Sequence, residues 1–220
     1  MMNYDVVIVA GGEGKRTGLQ YNKVHYQIRG RSLLSYAMRP FLHDARVKTI
    51  ILVAHPHDVE NLKTAYTADN VIITTGGKTR TKSVQRGLKH VTSAYVLIHD
   101  GARPNLSHQL VDCILDALKT QEAVVPAIPI YDTVKKIEAG KITEAVNREN
   151  LYRIQTPQGF LSETIKTLYN NEETQETYSC DITFYEKSTK RKAKIITGDI
   201  LNIKITDAQD LVAMEMILDG

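Results

Sequence analysis

The sequence predicts an α/β protein with three layers, in which helices cover both faces of a mostly parallel β-sheet. Short apolar runs rich in valine and isoleucine alternate along the chain with stretches whose apolar residues recur at helical spacing. The runs are apolar at consecutive positions, so both faces of each predicted strand must be buried. Strands of this kind that alternate with helices are typical of the three-layer class.

The individual elements follow from the same pattern. Strands are predicted at 6–10, 49–54, 71–74, 95–99, 123–127 and 194–197. Helices are predicted at 33–41, 59–66, 83–88, 108–118, 163–170, 181–187 and 207–218, with Ser32 and Ser107 as caps. Cys113 lies in an apolar helical pattern and is expected in the core. The segment 152–160 contains Pro157 and is expected at a sheet edge, because proline cannot donate to a strand ladder.

Residues 130–150 interrupt this alternation and predict a β-hairpin arm that projects from a single domain spanning 1–220. Apolar and charged residues alternate between 133 and 146, and Ala139-Gly140 supplies the turn. The alternation indicates that one face of the hairpin packs on something. That partner is either a second subunit or the hairpin's own domain, and the pattern leaves both open.

Composition excludes several classes of partner. The formal net charge of +3 comes without a long basic run, so no nucleic-acid partner is expected. Cys113 and Cys180 are far apart and have no zinc-site spacing, which fits a reducing cytosol. No leader-like segment and no apolar run of membrane-spanning length is present, so we expect a cytoplasmic protein with no membrane partner.

Glycines and charged residues follow three of the predicted strands, at 11–16, 76–80 and 100–103. The carboxyl ends of parallel strands meet at one edge of a sheet, and ligands bind there. Glycine-rich loops expose backbone N–H groups, which together with cationic side chains attract anions. The sequence therefore predicts a phosphate-binding site built from three strand ends.

Two common phosphate-binding motifs do not fit the first loop. The dinucleotide fingerprint requires a third glycine where the chain has Thr17. The Walker loop requires glycine at Val9 and a hydroxyl residue at Arg16. An NAD-dependent oxidoreductase is thereby disfavoured. What remains is Gly-Gly-x-Gly-x-Arg after a strand, with Lys23 seven residues beyond Arg16.

This loop and five further blocks resemble the 2-C-methyl-D-erythritol 4-phosphate cytidylyltransferase family over nearly the whole chain. The blocks are Gly76-Gly77-x-x-Arg80-x-x-Ser83, Asp100-Gly-Ala-Arg-Pro104, Asp132-Thr133 with Arg148, Thr156-Pro-Gln158 and Asn202-Ile-Lys-Ile-Thr206. Ribitol-5-phosphate cytidylyltransferases share most of them. The resemblance implies a Rossmann-like nucleotidyltransferase fold of the glycosyltransferase-A type.

The resemblance also implies transfer of CMP from CTP to a polyol phosphate, with release of pyrophosphate, in isoprenoid precursor biosynthesis. Two alternatives stay open. One is a ribitol-5-phosphate cytidylyltransferase for cell-wall teichoic acid synthesis, and the other is an inactive nucleotide-binding homologue. The second is motivated by Thr17, Asn22 and Val24, where the family usually has methionine, proline and glutamine.

Residue roles carried over from the resemblance divide into four groups. The catalytic cations would be Arg16, Lys23 and Lys204, which would neutralise the phosphates of CTP. The nucleotide would be held by Ala10, Gly11, Gly12, Gly14, Gly77, Ser83, Gly101 and Arg103. The acceptor would be held by Thr133, Arg148 and Thr156, the first two supplied by the arm of a neighbouring subunit in a homodimer. Asp100 would bind Mg²⁺, with Asp199 a weaker candidate, and His99 is expected to be structural.

Overall fold

A computed structural model describes residues 2–12, 17–171, 178 and 180–219 of the chain. Its strands are β1 (Tyr4–Ala10), β2 (Gln27–Ile28), β3 (Arg31–Ser32), β4 (Val47–Ala54), β5 (Val71–Thr75), β6 (Tyr95–Asp100), β7 (Ala123–Pro129), β8 (Val134–Glu138), β9 (Lys141–Val146), β10 (Tyr152–Ile154), β11 (Gln158–Leu161) and β12 (Lys194–Thr197). Its helices are α1 (Leu33–Leu42), α2 (Val59–Ala65), α3 (Arg80–Leu88), α4 (His108–Leu118), α5 (Ser162–Asn170), α6 (Asp181–Thr189) and α7 (Ala208–Asp219). The predicted strands and helices are all present.

The central sheet is mostly parallel, as predicted. Strand β1 pairs in parallel with β4 on one side and β6 on the other, and β5 continues the sheet beyond β4. Strand β11 lies antiparallel between β6 and β7, and β12 pairs in parallel with the far side of β7. Among the described strands of this sheet, β10 and β11 are the two that run antiparallel to the rest.

The edge prediction for 152–160 is wrong for its second half. Gly159 pairs with both Leu97 of β6 and Val124 of β7, so β11 is an interior strand. Strand β10 runs along the same side of β7, because Ala127 pairs with β10 on that side and with β12 on the other. Pro157 falls in the break between β10 and β11, where neither ladder requires its missing N–H.

Two apolar clusters lie on opposite faces of the sheet and confirm the three layers. On one face Val6 and Ile8 of β1 pack with residues of α1, α2 and α4. On the other face Val7 packs with residues of α3, α5 and α6. Alternate residues of one strand therefore enter different cores, as expected for a strand buried on both sides.

Cys113 is exposed, so its predicted place in the core is wrong. Helix α4 buries Leu110, Val111, Ile114, Leu115 and Leu118, and Ser107 caps it by accepting the Leu110 N–H. Those apolar positions define a stripe at spacings of three and four. Cys113 lies outside the stripe, and its neighbour Asp112 is exposed beside it.

Strands β8 and β9 form the predicted hairpin, and its turn lies at Ala139-Gly140, both of which have positive φ. Nearly all of its residues are exposed, including Ile137 at 63% and Ile142 at 67%. These two isoleucines pair across the hairpin. The hairpin thus exposes a pair of apolar side chains to solvent.

Within the described ranges, no helix combines the length and the apolar character needed to cross a membrane.

Candidate active site

The three predicted strand ends meet at one cavity of about 850 Å³ at the carboxyl edge of the sheet. Gly11 and Gly12 line it after β1, Gly76 and Gly77 after β5, and Asp100 at the end of β6. The predicted residues Ala10, Lys23, Ser83 and Lys204 line it as well. Gly14 and Arg16 lie outside the described residues. The convergence expected from the sequence is therefore present in the part of the chain that the structure describes.

The wall after β5 requires glycine for steric reasons. A Cβ atom on Gly77 would lie 2.5 Å from the Cβ of Lys82, and one on Gly76 would lie 3.0 Å from the Ala54 carbonyl oxygen. Ser83 fixes the turn, because its Oγ accepts the Gly77 N–H at 3.1 Å and donates to the Thr79 carbonyl at 2.9 Å. The backbone can therefore approach a ligand closely on this side.

Asp100 lies between two cations. Lys204 Nζ is 2.7 Å from one carboxylate oxygen, and the Arg80 guanidinium is 3.3 Å from the other. Burial alone would raise the pKa of Asp100, but Arg80 and then Lys204 outweigh it and hold the pKa well below its usual range. Asp100 is consequently an ionised carboxylate at the floor of the cavity.

A second buried carboxylate holds Arg80 from behind. Arg80 donates to Asp181 at 2.7 Å, and Tyr169 Oη donates to the other Asp181 oxygen at 2.5 Å. Burial and the charge of Asp181 together raise the pKa of Tyr169 well above its ordinary value, so its phenol stays protonated. Neither Arg80 nor Asp181 has a role that sequence reasoning predicts. The available signal for a role of Arg80 is its place in the second glycine block, Gly76-Gly77-x-x-Arg80.

A hydrogen-bonded chain supports the end of β6 from below. The Asp100 N–H donates to Thr156 Oγ1, whose hydroxyl lies 3.0 Å from His99 Nδ1. His99 Nε2 lies 3.2 Å from the Arg103 carbonyl oxygen, which can only accept, so Nε2 carries the proton and Nδ1 accepts from Thr156. Burial lowers the pKa of His99 to about 4, which keeps the imidazole neutral. This arrangement agrees with the structural role expected for His99.

Three residues that were predicted to contact a ligand do not line the cavity and lie beneath it. Thr156 is buried in the chain just described. The Arg103 guanidinium donates to the Asn202 carbonyl at 2.7 Å, and the Gly101 N–H donates to the Val9 carbonyl at 3.0 Å. In this structure, these residues fix the strand ends and loops that carry the cavity wall.

Thr133 and Arg148 are not brought to the cavity of their own chain. Thr133 is exposed just before β8. Arg148 is exposed just after β9, and its guanidinium donates to the Tyr131 carbonyl. Both residues belong to the base of the hairpin.

In the described part of the chain, no three or more histidine, cysteine, aspartate or glutamate residues are grouped so that they could hold a metal ion. Asp100 is the described acidic residue that lines the cavity, while Asp199 lines a smaller cavity beside α4. A single ionised carboxylate, three lysines and a glycine-lined wall suit a ligand that carries its own anionic oxygens.

The chain is similar to known proteins over nearly its whole length. A family model described as 2-C-methyl-D-erythritol 4-phosphate cytidylyltransferase matches residues 4–220. Proteins of that name from Bacillus pumilus and Alkaliphilus oremlandii are 32% and 34% identical to the chain. The first alignment covers 100% of this chain and 98% of the relative, and the second covers 97% and 94%.

Solved structures agree with the sequence comparison. The 4-diphosphocytidyl-2C-methyl-D-erythritol synthase of Anaerococcus prevotii superposes with a TM-score of 0.84 at 28% identity, covering 100% of this chain and 99% of that one. The 2-C-methyl-D-erythritol 4-phosphate cytidylyltransferase of Thermus thermophilus gives 0.83 at 28% identity, covering 100% of both chains. The predicted nucleotidyltransferase fold is thereby confirmed.

Proposed function

Because the chain belongs to the 2-C-methyl-D-erythritol 4-phosphate cytidylyltransferase family, we propose that it transfers CMP from CTP to 2-C-methyl-D-erythritol 4-phosphate. The products are the CDP-polyol and pyrophosphate, and the reaction serves isoprenoid precursor biosynthesis. The observation that carries the proposal is the convergence of two glycine turns, Lys23, Lys204 and Asp100 on one cavity.

The reaction is an attack by an acceptor phosphate oxygen on the α-phosphate of CTP. Negative charge builds on the α-phosphate and on the departing pyrophosphate, and positioning plus charge stabilisation supply the catalysis. Lys23 lies on the side of the first glycine loop, and Lys204 lies across the cavity at Asp100. We assign Lys23, with Arg16, to the triphosphate and Lys204 to the α-phosphate.

The wall after β5 suits the nucleoside end of CTP. Gly76 and Gly77 leave the backbone accessible there, and Ser83 holds their turn in place. Lys78 also lines this side of the cavity. We assign the cytosine and ribose to this wall and the triphosphate to the loop after β1.

Mg²⁺ fits Asp100. The carboxylate is ionised, lines the cavity and presents hard oxygen donors, which this cation prefers. Mg²⁺ commonly needs only one or two protein carboxylates when phosphates supply further oxygens. The bound cation would neutralise phosphate charge, and Arg80 would keep Asp100 oriented toward it.

The acceptor assignment to Thr133 and Arg148 requires a second copy of the chain. Both residues stand at the base of an exposed hairpin, away from the cavity of their own chain. The exposed pair Ile137 and Ile142 offers apolar surface for a contact between subunits. We propose a homodimer in which each arm completes the acceptor site of its partner.

We also propose that the enzyme is cytoplasmic. Both substrates are anionic small molecules, and Cys113 and Cys180 are free thiols, which suits a reducing compartment.

A pyrophosphate-release assay tests the function. Purified protein with CTP and Mg²⁺ receives either 2-C-methyl-D-erythritol 4-phosphate or ribitol 5-phosphate, and the proposal expects the higher kcat/KM with the first. A preference for ribitol 5-phosphate would reassign the enzyme to the teichoic acid pathway. CTP binding without turnover of either acceptor would establish an inactive homologue.

A further inference from the structure

The short turn that carries Lys23 lies against one carboxylate, that of Asp58. Lys23 begins a single turn of 3₁₀ helix, Lys23–His25. Before the turn, Asn22 Nδ2 lies 3.1 Å from Asp58 Oδ2. At the end of the turn, His25 Nε2 lies 3.0 Å from the same oxygen. Lys23 therefore lies between two residues that both approach Asp58, and Asn22 is the one that is hydrogen-bonded to it.

Asn22 also fastens the turn to the floor of the cavity. Its Nδ2 donates to the Ala10 carbonyl at 2.6 Å, at the end of β1. Its Oδ1 accepts the Val24 N–H at 3.3 Å, which caps the 3₁₀ turn. Val24 is buried in the core cluster beside α1. The backbone of Lys23 is consequently fixed relative to the first strand of the site.

Asp58 belongs to the loop that follows β4. It closes a 3₁₀ turn, Pro56–Asp58, that follows β4, and its N–H donates to the His55 carbonyl at 2.9 Å. His55 and Pro56 line the cavity, whereas Asp58 does not. Its carboxylate thus joins the loop after β4 to the loop that carries Lys23, from outside the space that a ligand would occupy.

We propose that Asp58 is a positioning residue for the nucleotidyl transfer, acting through Asn22 to hold Lys23 at the phosphate end of the cavity. The role rests on the proposed function. A displacement of about 1 Å in a group that acts on the transition state can reduce the rate by about 10²-fold. The hydrogen bonds of Asn22 to Asp58 and to the Ala10 carbonyl oppose such a displacement.

The backbone at Asn22 provides a second way to test the anchor. Its φ of −61° and ψ of 121° match the values that proline imposes or tolerates. Proline at this position would restrict the turn through its ring, without the side-chain hydrogen bonds. Alanine would provide neither restraint. Asn22→Pro should therefore retain more activity than Asn22→Ala.

The kinetic experiment compares Asp58→Ala with Glu60→Ala. Glu60 lies two residues further on, is exposed, and pairs only with Lys63 among the described residues, so its variant removes the same charge without touching the turn. We expect kcat for Asp58→Ala to be at least about 10-fold below that of Glu60→Ala, with the KM for CTP changed less. Asp58→Asn, which keeps an acceptor oxygen for Asn22, should recover part of the loss.

Hydrogen exchange on the nucleotide-free protein supplies a readout that does not need turnover. The amides of residues 24–26 donate to the Asn22 side chain, the Asn22 carbonyl and the Lys23 carbonyl. They should exchange faster in Asp58→Ala than in Glu60→Ala. Equal exchange, or equal kcat in the two variants, would overturn the role of Asp58.

The two proposals can fail separately. Wild-type protein without turnover would remove the proposed function, and hydrogen exchange would still decide whether Asp58 holds the turn. If Asp58→Ala does not fold, the order of Asn22→Pro and Asn22→Ala in kcat decides instead, and equal losses would count against the anchor.

Discussion

Replacing Asp181 by asparagine should destabilise the protein through the buried charge of Arg80. Asp181 is fully buried and accepts hydrogen bonds from Arg80 and Tyr169. Asparagine keeps the shape of the side chain and removes its charge. Breaking a buried ion pair by removing one partner costs about 3–5 kcal/mol. In the variant, Arg80 would still have Asp100 as an ionic partner at 3.3 Å. We therefore expect a loss of stability near the lower value, about 3 kcal/mol.

The expected change in Tm follows from the length of the chain. For a protein of this size, 1 kcal/mol corresponds to about 2–4 °C, so Asp181→Asn should lower Tm by about 6–12 °C. Thermal unfolding followed by circular dichroism at pH 7 without nucleotide measures it. Glu60→Gln is the matched control, because it breaks an exposed pair with Lys63 that is worth at most about 1 kcal/mol.

A double variant separates the ion pair from general damage to the core. Arg80→Met with Asp181→Leu removes both charges and should cost less than the sum of the single replacements. A Tm of Asp181→Asn within about 2 °C of the wild-type Tm would be the size of change expected for an exposed ion pair. Asp181 would then not compensate the charge of Arg80, and the reasoning would fail.

Three further predictions concern activity and pH. Lys204→Ala should lower kcat by about 10²-fold with a smaller effect on CTP affinity, because an α-phosphate contact acts mainly in the transition state; an unchanged kcat in the pyrophosphate assay would contradict its role. Arg148→Ala should raise the KM for the acceptor more than the KM for CTP. At an acceptor concentration well below the raised KM of Arg148→Ala, mixing Arg148→Ala and Lys204→Ala subunits should restore up to about a quarter of the sites if the arm acts across a two-fold dimer, and none if it acts within one chain. Burial lowers the pKa of His99 from 6.5 to about 4, so the unfolded chain binds more protons between these values. Stability should therefore fall by up to about 3 kcal/mol as the pH drops from 6.5 to 4. His99→Gln should flatten this loss in urea titrations, and an equally steep loss in the variant would assign it to other groups.

The strands and the convergence of strand ends could be predicted because their signals are local. The apolar residues of a run such as 6–10 are enough to predict a buried strand. Because parallel strands end at one edge of a sheet, the residues that follow them can then be predicted to form one site. Gly76 and Gly77 could be predicted as part of the site for the same reason, because they follow a strand. Their steric need appears in the structure as contacts with Ala54 and Lys82.

Features that depend on distant pairing could not be predicted in this way. Arg80 and Asp181 are 101 residues apart, and nothing near either residue specifies the other. Asn22 and Asp58 are 36 residues apart and belong to different loops. Strand β11 has only four residues, and its interior position depends on β6 and β7 leaving a gap that a later segment fills.

That gap has a consequence for how the fold is assembled. Strands β6 and β7 are consecutive strands of the central sheet in the chain, yet β11 separates them in space. A growing chain can therefore close β1, β4, β5 and β6 into one half-sheet, but it cannot join β7 to that half until residues 158–161 have been made. Pairings across such sequence distances slow folding. Fragments that stop at the hairpin should expose the unpaired edges of β6 and β7, so a truncation after Val146 should aggregate where the full chain does not.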